Sequence, residues 1–303
     1  MSRKPTYKEW ILATRPWSFA TSVFPAIVAV CYIFYFCNDC ESINWCFGLW
    51  AVVGTLIVHA GGNLMSDYFD FKYDVDREGY IVDSSILMIN GIFTPRQFLI
   101  YGLSCLTAGS LIGIYLFLHT GWPLLIIGVF GILGAIFYYL LKYRALGDLL
   151  IFIIYGPLIM LGTAYVLTGV INIAVLLLSL PIALLSVNIL HANNTRDIET
   201  DHHSGIRTLA MNLGVRRSIW MYNTFIISAY LLIALFTVIK LLPPLSLIVL
   251  LSTPLAWRNI KIMGRAETEG KEAIRTLDGL TAQLQLAFCT TLSIGLLISG
   301  WLL

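Results

Sequence analysis

The sequence predicts an all-α polytopic membrane protein with nine transmembrane helices, arranged as two four-helix halves plus one. Three observations predict it. The 303-residue chain is 58% hydrophobic and only 12% charged, whereas a soluble domain carries about 25% charged residues. Its mean hydropathy is +0.82. Nine apolar runs reach the length of about 17–25 residues that a bilayer requires, with approximate limits 17–36, 45–65, 97–118, 122–141, 148–168, 172–191, 217–240, 243–259 and 281–303. A formal net charge of +2 without a clustered basic face excludes a nucleic-acid partner.

Each span is bounded by its own chemistry. Arg3, Lys4, Lys8 and Arg15 precede span one, and no short apolar region with a small-residue cleavage site follows, so no cleaved signal peptide is expected. Trp17, Trp45, Trp122 and Trp301 stand at run ends, where aromatic rings favour the membrane interface. Gly121 with Pro123, Gly169, and Pro243 with Pro244 supply turns. The basic residues alternate from loop to loop, so that 18 of the 19 Lys and Arg fall on one side and only Lys240 on the other. By the positive-inside rule, the N-terminus and the long loops after spans two and six are cytoplasmic and the C-terminus is outside. Cys37 and Cys40 form a lone pair two residues apart, with Cys46 nearby. No second pair follows at zinc spacing, so these read as apolar fillers or an outer-face disulfide.

Span two runs directly into Asp67, Asp70, Asp74 and Asp76. Carboxylates at a membrane boundary lose hydration and repel one another, so the cluster requires a cation among its oxygens. On a helix, Asn63, Asp67, Asp70 and Asp74 lie at i, i+4, i+7 and i+11, on one stripe. Span six ends in a second set, Asn193, Asp197 and Asp201, at i, i+4 and i+8. Both sets follow an even-numbered span, and Asp67 and Asp197 lie 130 residues apart. The match suggests a duplicated four-span unit within one domain over 1–303, with halves at about 10–141 and 142–259 and an extra helix at 281–303.

Donor sets made only of oxygen suit hard cations, Mg²⁺ above all. Mg²⁺ takes one or two protein carboxylates and completes its shell with water and phosphate oxygens. Two facing clusters therefore suit two or more Mg²⁺ bridging a diphosphate. Arg15, Lys72, Arg77, Lys142, Arg144, Arg196 and Arg207 are available to neutralise phosphate, and Tyr68, Tyr138 and Tyr139 to hydrogen-bond or face a cation. The chemistry this suits is ionisation of an allylic diphosphate, with capture of the cation in a water-poor cavity. A single acid pair beside Lys or Arg reads equally well as a solvated ion pair; two matched clusters argue against that. His191, His202 and His203 flank the second set, where a hydrogen-bonded or solvated imidazole is the commoner role than a catalytic base.

These features resemble the UbiA superfamily of intramembrane aromatic prenyltransferases. Its hallmarks are nine helices, a first motif of the N-D-x-x-D-x-x-x-D type and a second of the D-x-x-x-D type. Here the motifs stand as Ser66, Asp67, Asp70 and Asp74, and as Asp197 and Asp201, and the resemblance covers nearly the whole chain. Finer matches resemble the 1,4-dihydroxy-2-naphthoate prenyltransferases and their animal menaquinone-synthesising relatives. They are Asn63 and Leu64 with Asp67 to Phe71, Asn90 and Gly91 with Thr94 to Arg96, and Asn193 to Asp197 with Gly205, Thr208 to Ala210, Leu213 and Gly214. Arg15, Pro16 and Trp17 match the family's opening, whose Arg lies near the diphosphate. Two departures stand out. Ser66 replaces the usual Asn, and both Asp74 and Asp76 are present where the naphthoate branch has Gly and then its last acid. On a continuing helix Asp76 lies about half a turn out of phase with Asp67, which favours Asp74 and keeps Asp76 as the alternative.

The resemblance implies Asp67, Asp70, Asp74, Asp197 and Asp201 as catalytic, metal-binding acids, with Asn63, Asn193 and Asp76 as further candidate ligands. It implies Arg15, Asn63, Tyr68, Lys72, Arg77, Tyr139, Lys142, Asn193, Arg196 and Arg207 around the diphosphate and prenyl group. It also implies two or more Mg²⁺, an isoprenyl diphosphate donor whose tail lies among helices open to lipid, and an aromatic acceptor entering from the cytoplasm. In the naphthoate branch the prenyl group replaces the ring carboxylate, with loss of CO₂ and pyrophosphate. Other acceptors remain open, such as 4-hydroxybenzoate, homogentisate or a glycerophosphate lipid. A repeat-built transporter fits less well, because its acids would sit near mid-span rather than at one edge.

Overall fold

The computed structural model describes residues 4–37, 43–72, 86–142, 144–203 and 207–302. Asp74, Asp76, Arg77, Arg3, Cys40, Gly205 and the His203 side chain lie outside that description. The described regular structure is helical throughout. Among the described residues nine helices are long and apolar enough to cross a membrane: Pro16–Phe36, Trp45–Lys72, Pro95–Thr120, Trp122–Lys142, Gly147–Thr168, Ile173–Arg196, Leu209–Val238, Pro244–Glu269 and Lys271–Leu302. We number them spans one to nine.

The helices outrun the apolar runs at the acid-bearing ends. Span two continues to Lys72 and span six to Arg196, because backbone hydrogen bonding is indifferent to hydropathy while an apolar run stops at the first charge. Asp67 and Asp70 therefore ride on the last turns of span two, and Asp197 directly follows the end of span six. Span seven starts at Leu209, but Gly214 breaks it with φ 72° and ψ 165°, so the continuous helix begins near the expected residue 217. The ends are capped as the residues dictate. Thr94 and Gln97 form a reciprocal capping box with Pro95 behind it. The Ala174 amide donates to the Asn172 side chain at 2.8 Å.

The main core is assembled from spans one and five to nine, around Tyr32, Leu178, Ile182, Tyr222, Ile233 and Phe288. Cys31 and Cys289 are buried in it as fillers. The ninth span packs against the first, sixth and eighth spans, with Leu284, Phe288, Leu292 and Leu296 fully buried. Span four is the outermost, with Ile126, Phe130, Leu133 and Phe137 exposed on one face, as a lipid-facing helix requires.

Spans two and three approach so closely that only glycine fits. A Cβ on Gly61 would meet Leu106 Cγ at 2.8 Å and Gly102 O at 3.1 Å, the small-residue packing that membrane helices use when hydrophobicity cannot drive association. We expect Gly61→Val to force the pair apart and to cost about 1–3 kcal/mol, the usual scale of overpacking. A lowered unfolding midpoint in detergent would show it, and an unchanged midpoint would contradict the packing.

A short helix, Tyr7–Ala13, precedes span one, started by a capping box between Thr6 and Glu9. Trp10 stands edge-on to Phe93 at 4.6 Å and to Tyr101 at 5.1 Å. Ala13 is buried with Leu64, Met88 and Phe98. This anchoring lays residues 14–18 across the acid-bearing end of span two.

Candidate active site

The site begins at the turn that follows the short helix. Arg15 lies in the left-handed region, with φ 56° and ψ 59°, a conformation that costs a non-glycine residue about 1–2 kcal/mol. In this setting its guanidinium reaches span two and engages both oxygens of Asp67, including Nε to Oδ2 at 3.4 Å. Asp67 is fully buried. One turn on, Asp70 accepts from Lys142 Nζ at 3.2 Å and from Ser66 Oγ at 3.4 Å. Lys142 ends span four, so three spanning segments meet at these two acids. Ser66, the departure from the family's Asn, still touches the neighbouring carboxylate.

The second motif is built differently. Span six ends at Arg196, Asp197 caps it with φ −97° and ψ 11°, and a separate helix, Ile198–His203, carries Asp201. The expected continuous stripe is thus interrupted at Asp197, although the Asp201 amide still donates to the Asp197 carbonyl at 2.8 Å. Arg196 is buried and spends its guanidinium within the protein. Nε and one terminal nitrogen hold Asp197 at 2.8 and 2.7 Å, the same terminal nitrogen reaches Asn193 Oδ1, and the other donates to the Arg275 carbonyl at 3.1 Å and Asp278 Oδ2 at 3.3 Å. Burial pushes the Asp201 carboxyl up to about 6; Lys142 and Arg196 oppose the shift, while Asp197 and Asp70 add to it. The acids of both motifs therefore feel one another.

A cavity of about 750 Å³ opens beside these groups. Of the predicted residues it is lined by Arg15, Asn63, Asp70, Lys142 and Asn193. Asp67, Asp197, Asp201, Tyr68, Lys72, Tyr139, Arg196 and Arg207 do not line it. Tyr68 packs with the apolar cluster around Phe93 and Phe98, under Lys72 Nζ at 5.9 Å. Tyr139 stacks on Phe69 at 3.9 Å, whereas its neighbour Tyr138 faces the cavity, since adjacent residues on a helix point about 100° apart. Arg207 is exposed and its carbonyl accepts from the Ala145 amide at 2.7 Å. His191 is fully buried beside Asp148, Nδ1 to Oδ1 3.4 Å, and does not line the cavity. From Asp70 the lining descends span two to Trp50, about 30 Å at 1.5 Å per residue. Its lower walls are apolar and small: Gly54, Gly109, Gly113, Gly128, Gly131 and Ile132.

Sequence reasoning passed over Asp278, which lines the cavity and pairs with Arg196. Its signal was an acid at the edge of an apolar run, the criterion that singled out Asp67. It also passed over His59, Ser18 and Tyr155, which line the cavity within the spans and look like packing residues in sequence.

The donor set fits Mg²⁺. Asp67, Asp70, Asp197 and Asp201 offer only oxygen; burial chiefly raises the Asp201 carboxyl, and the neighbouring Asp197 and Asp70 add to that rise. Among the described residues no three His, Cys, Asp or Glu side chains form a ready cage.

The profile of the UbiA prenyltransferase family matches residues 13–277, a range that includes the Arg15 turn and both acid motifs. UbiA prenyltransferase domain-containing protein 1 of Rattus norvegicus is 34% identical over 257 residues, which span 82% of this chain and 73% of that protein. The protein of the same name from Danio rerio is 33% identical over 248 residues, 78% and 72% of the two chains. The fold is that of a UbiA homolog from Aeropyrum pernix K1, with TM-score 0.66, 15% identity and coverage of 91% and 96%. It is also that of an Archaeoglobus fulgidus UbiA homolog bound to DMAPP and Mg²⁺, with TM-score 0.58, 14% identity and coverage of 94% and 99%. With nine spans in that fold and the family profile running from the Arg15 turn through the second acid motif, the chain belongs to the UbiA prenyltransferase family.

Proposed function

We propose that this prenyltransferase moves an isoprenyl group from an allylic polyprenyl diphosphate to an aromatic acceptor, 1,4-dihydroxy-2-naphthoate, in menaquinone biosynthesis. One observation carries the donor half. The charged groups Arg15, Asp67, Asp70 and Lys142 meet at one end of a long cavity whose lower walls are apolar, which matches a molecule with a charged head and a hydrocarbon tail. Structural neighbours bound to DMAPP with Mg²⁺ and to GPP with Mg²⁺ support it. The acceptor reading rests on the naphthoate-type residues around Asp67, Thr94 and Asn193.

In this reading Asp67 and Asp70 with Asp197 and Asp201 hold two or more Mg²⁺. Asp74, or Asp76 in its place, is the proposed third acid of the first motif. When bound, Mg²⁺ supplies positive charge that stabilises the departing pyrophosphate. Arg15 and Lys142 are placed to reach phosphate oxygens beside the acids they now hold, with Asn63 and Asn193 lining the same mouth. The C1–O bond breaks with its electrons leaving on pyrophosphate. Tyr138 and Tyr155 line the cavity below, where ring faces and apolar walls keep water from the allylic cation. The acceptor's ring carbon bonds to C1, and the electrons of its bond to the carboxylate restore aromaticity as CO₂ leaves. Arg196 serves by fixing Asp197 and Asn193. Lys72, Arg77, Arg207, Tyr68 and Tyr139 are proposed as outer contacts of the diphosphate.

We also read the site as cytoplasmic, with the C-terminus outside, on the strength of the one-sided basic residues. The halves at 10–141 and 142–259 each contribute one acid motif, and the two motifs come within electrostatic reach of each other.

The test is an assay of purified protein with Mg²⁺ and a C15–C20 allylic diphosphate against a panel of acceptors. The expected result is a prenylated naphthoquinol, with CO₂ released in step. Turnover of 4-hydroxybenzoate, homogentisate or a glycerophosphate lipid, with none of dihydroxynaphthoate, would overturn the acceptor.

A further inference from the structure

Below the mouth, span one and span two are joined by a chain of polar groups in which His59, Ser18 and Ser22 have no part in the proposed reaction. His59 lies one helical turn from Asn63 on the stripe that leads to Asp67 and Asp70. It is 9% exposed and sits between the rings of Phe19 at 5.7 Å and Tyr155 at 5.2 Å. Its Nδ1 is 2.7 Å from Ser22 Oγ, and its Nε2 is 3.4 Å from Ser18 Oγ. Ser18 Oγ donates to the Arg15 carbonyl at 2.8 Å and accepts from Asn63 Nδ2 at 2.9 Å. Asn63 Nδ2 also donates to the Thr14 carbonyl at 3.0 Å.

The proton on Ser18 decides how it meets His59. Ser18 has one proton, given to Arg15 O, and two lone pairs. Asn63 uses one lone pair, so the other can accept only if His59 carries a proton on Nε2. On the far side of the ring Nδ1 meets Ser22 Oγ, which also donates to the Phe19 carbonyl at 3.2 Å. The donors run in one direction from His59 through Ser18 to the Arg15 carbonyl. Asn63 holds the carbonyl before Arg15, and Ser18 holds the carbonyl of Arg15 itself. Both peptide groups that flank a left-handed residue are thereby tied to span two, and strained backbone persists only where its surroundings over-determine it.

We infer that His59 is a positioning residue: through Ser18, and with Asn63, it holds the left-handed Arg15 turn so that the guanidinium meets Asp67 and the diphosphate. The inference rests on the reading of Arg15 as a diphosphate ligand. A spanning segment with a buried histidine at this depth gains specificity for one geometry of Arg15, which neither Phe19 nor Tyr155 packing supplies.

The test is a double-mutant cycle on the full chain in detergent, read as the affinity for inorganic pyrophosphate with Mg²⁺ and as the KM and kcat for an allylic diphosphate. Arg15→Ala is expected to weaken pyrophosphate binding. His59→Phe is expected to weaken it about tenfold, the loss of one to two hydrogen bonds' worth of alignment, raising KM for the donor more than it lowers kcat. In the Arg15→Ala background His59→Phe should add almost nothing, because coupled residues are non-additive. His59→Gln, which keeps a donor and an acceptor, should recover most of the affinity. Ser18→Ala runs the same cycle if His59→Phe does not fold. Equal losses in the presence and absence of Arg15, or unchanged affinity in both His59→Phe and Ser18→Ala, would overturn the inference. If Arg15→Ala alone binds pyrophosphate as the native protein does, the diphosphate reading of Arg15 falls and this inference with it.

Discussion

Asp67→Asn is expected to reduce prenyl transfer at least a thousandfold, about 4 kcal/mol of transition-state stabilisation, while the protein stays folded. The substitution keeps an oxygen that can accept from Arg15 Nε and removes the negative charge. Asp67 is fully buried and pairs with Arg15, and an uncharged amide of equal volume disturbs packing little. A metal ligand, by contrast, loses most of its affinity for a hard cation when its charge is removed, and metal-ion charge stabilisation is worth several kcal/mol. Asp197→Asn should act alike from the second half. Turnover of the allylic diphosphate with Mg²⁺, measured beside gel filtration and an unfolding midpoint, decides between two roles. A lowered midpoint with turnover reduced in proportion would make the acids structural. Near-native turnover in both variants would remove them from the metal site.

Gly131→Phe is expected to change which donors react. Gly131 lines the lower cavity, and a Cβ added there meets nothing within 4 Å. A benzyl group at that position fills space that the far end of a long tail would occupy, without touching the charged mouth. Turnover of a C20 diphosphate should fall about five- to a hundredfold, because an overfilled pocket costs on the order of 1–3 kcal/mol. DMAPP, which needs only the mouth, should react at close to the native rate. The ratio of kcat/KM for the two donors is the measurement. An equal fall for both would place the tail elsewhere, and no fall for either would show that this wall faces lipid.

Much of the fold was legible in sequence because hydropathy and turn chemistry are local signals. Nine apolar runs match nine spans among the described residues, and Gly121 and Gly169 closed helices as turn residues do. The apolar runs stop five to seven residues short of the helix ends that carry acids, since spans two and six continue as helix to Lys72 and Arg196. A charge ends a hydrophobic run without ending a ladder of backbone hydrogen bonds. The acids marked a candidate site in sequence because carboxylates crowded at a membrane boundary call for a cation. Arg196 was not legible as a fixing residue, because any arginine near acids reads equally well as a phosphate ligand until its donors are traced. Tyr138 and Tyr139 are indistinguishable in sequence, and only the rotation of span four turns one toward the cavity and the other onto Phe69.

The sequence by itself determined the nine apolar runs and the two acid motifs, and its resemblance pointed to the family that the profile over residues 13–277 shows. The runs and motifs follow from composition, period and spacing along one dimension. Only the tertiary structure decided which charges meet. Arg15 reaches Asp67 across 52 residues, Lys142 reaches Asp70 across 72, and Arg196 reaches Asp278 across 82. It also tied His59 through Ser18 to the Arg15 turn, a link of 41 residues between two spanning segments. Such pairings depend on which helix ends are packed side by side and on how each helix is rotated about its axis. Backbone hydrogen bonds and hydrophobicity leave both free, and close packing at positions such as Gly61 and Gly102 settles them.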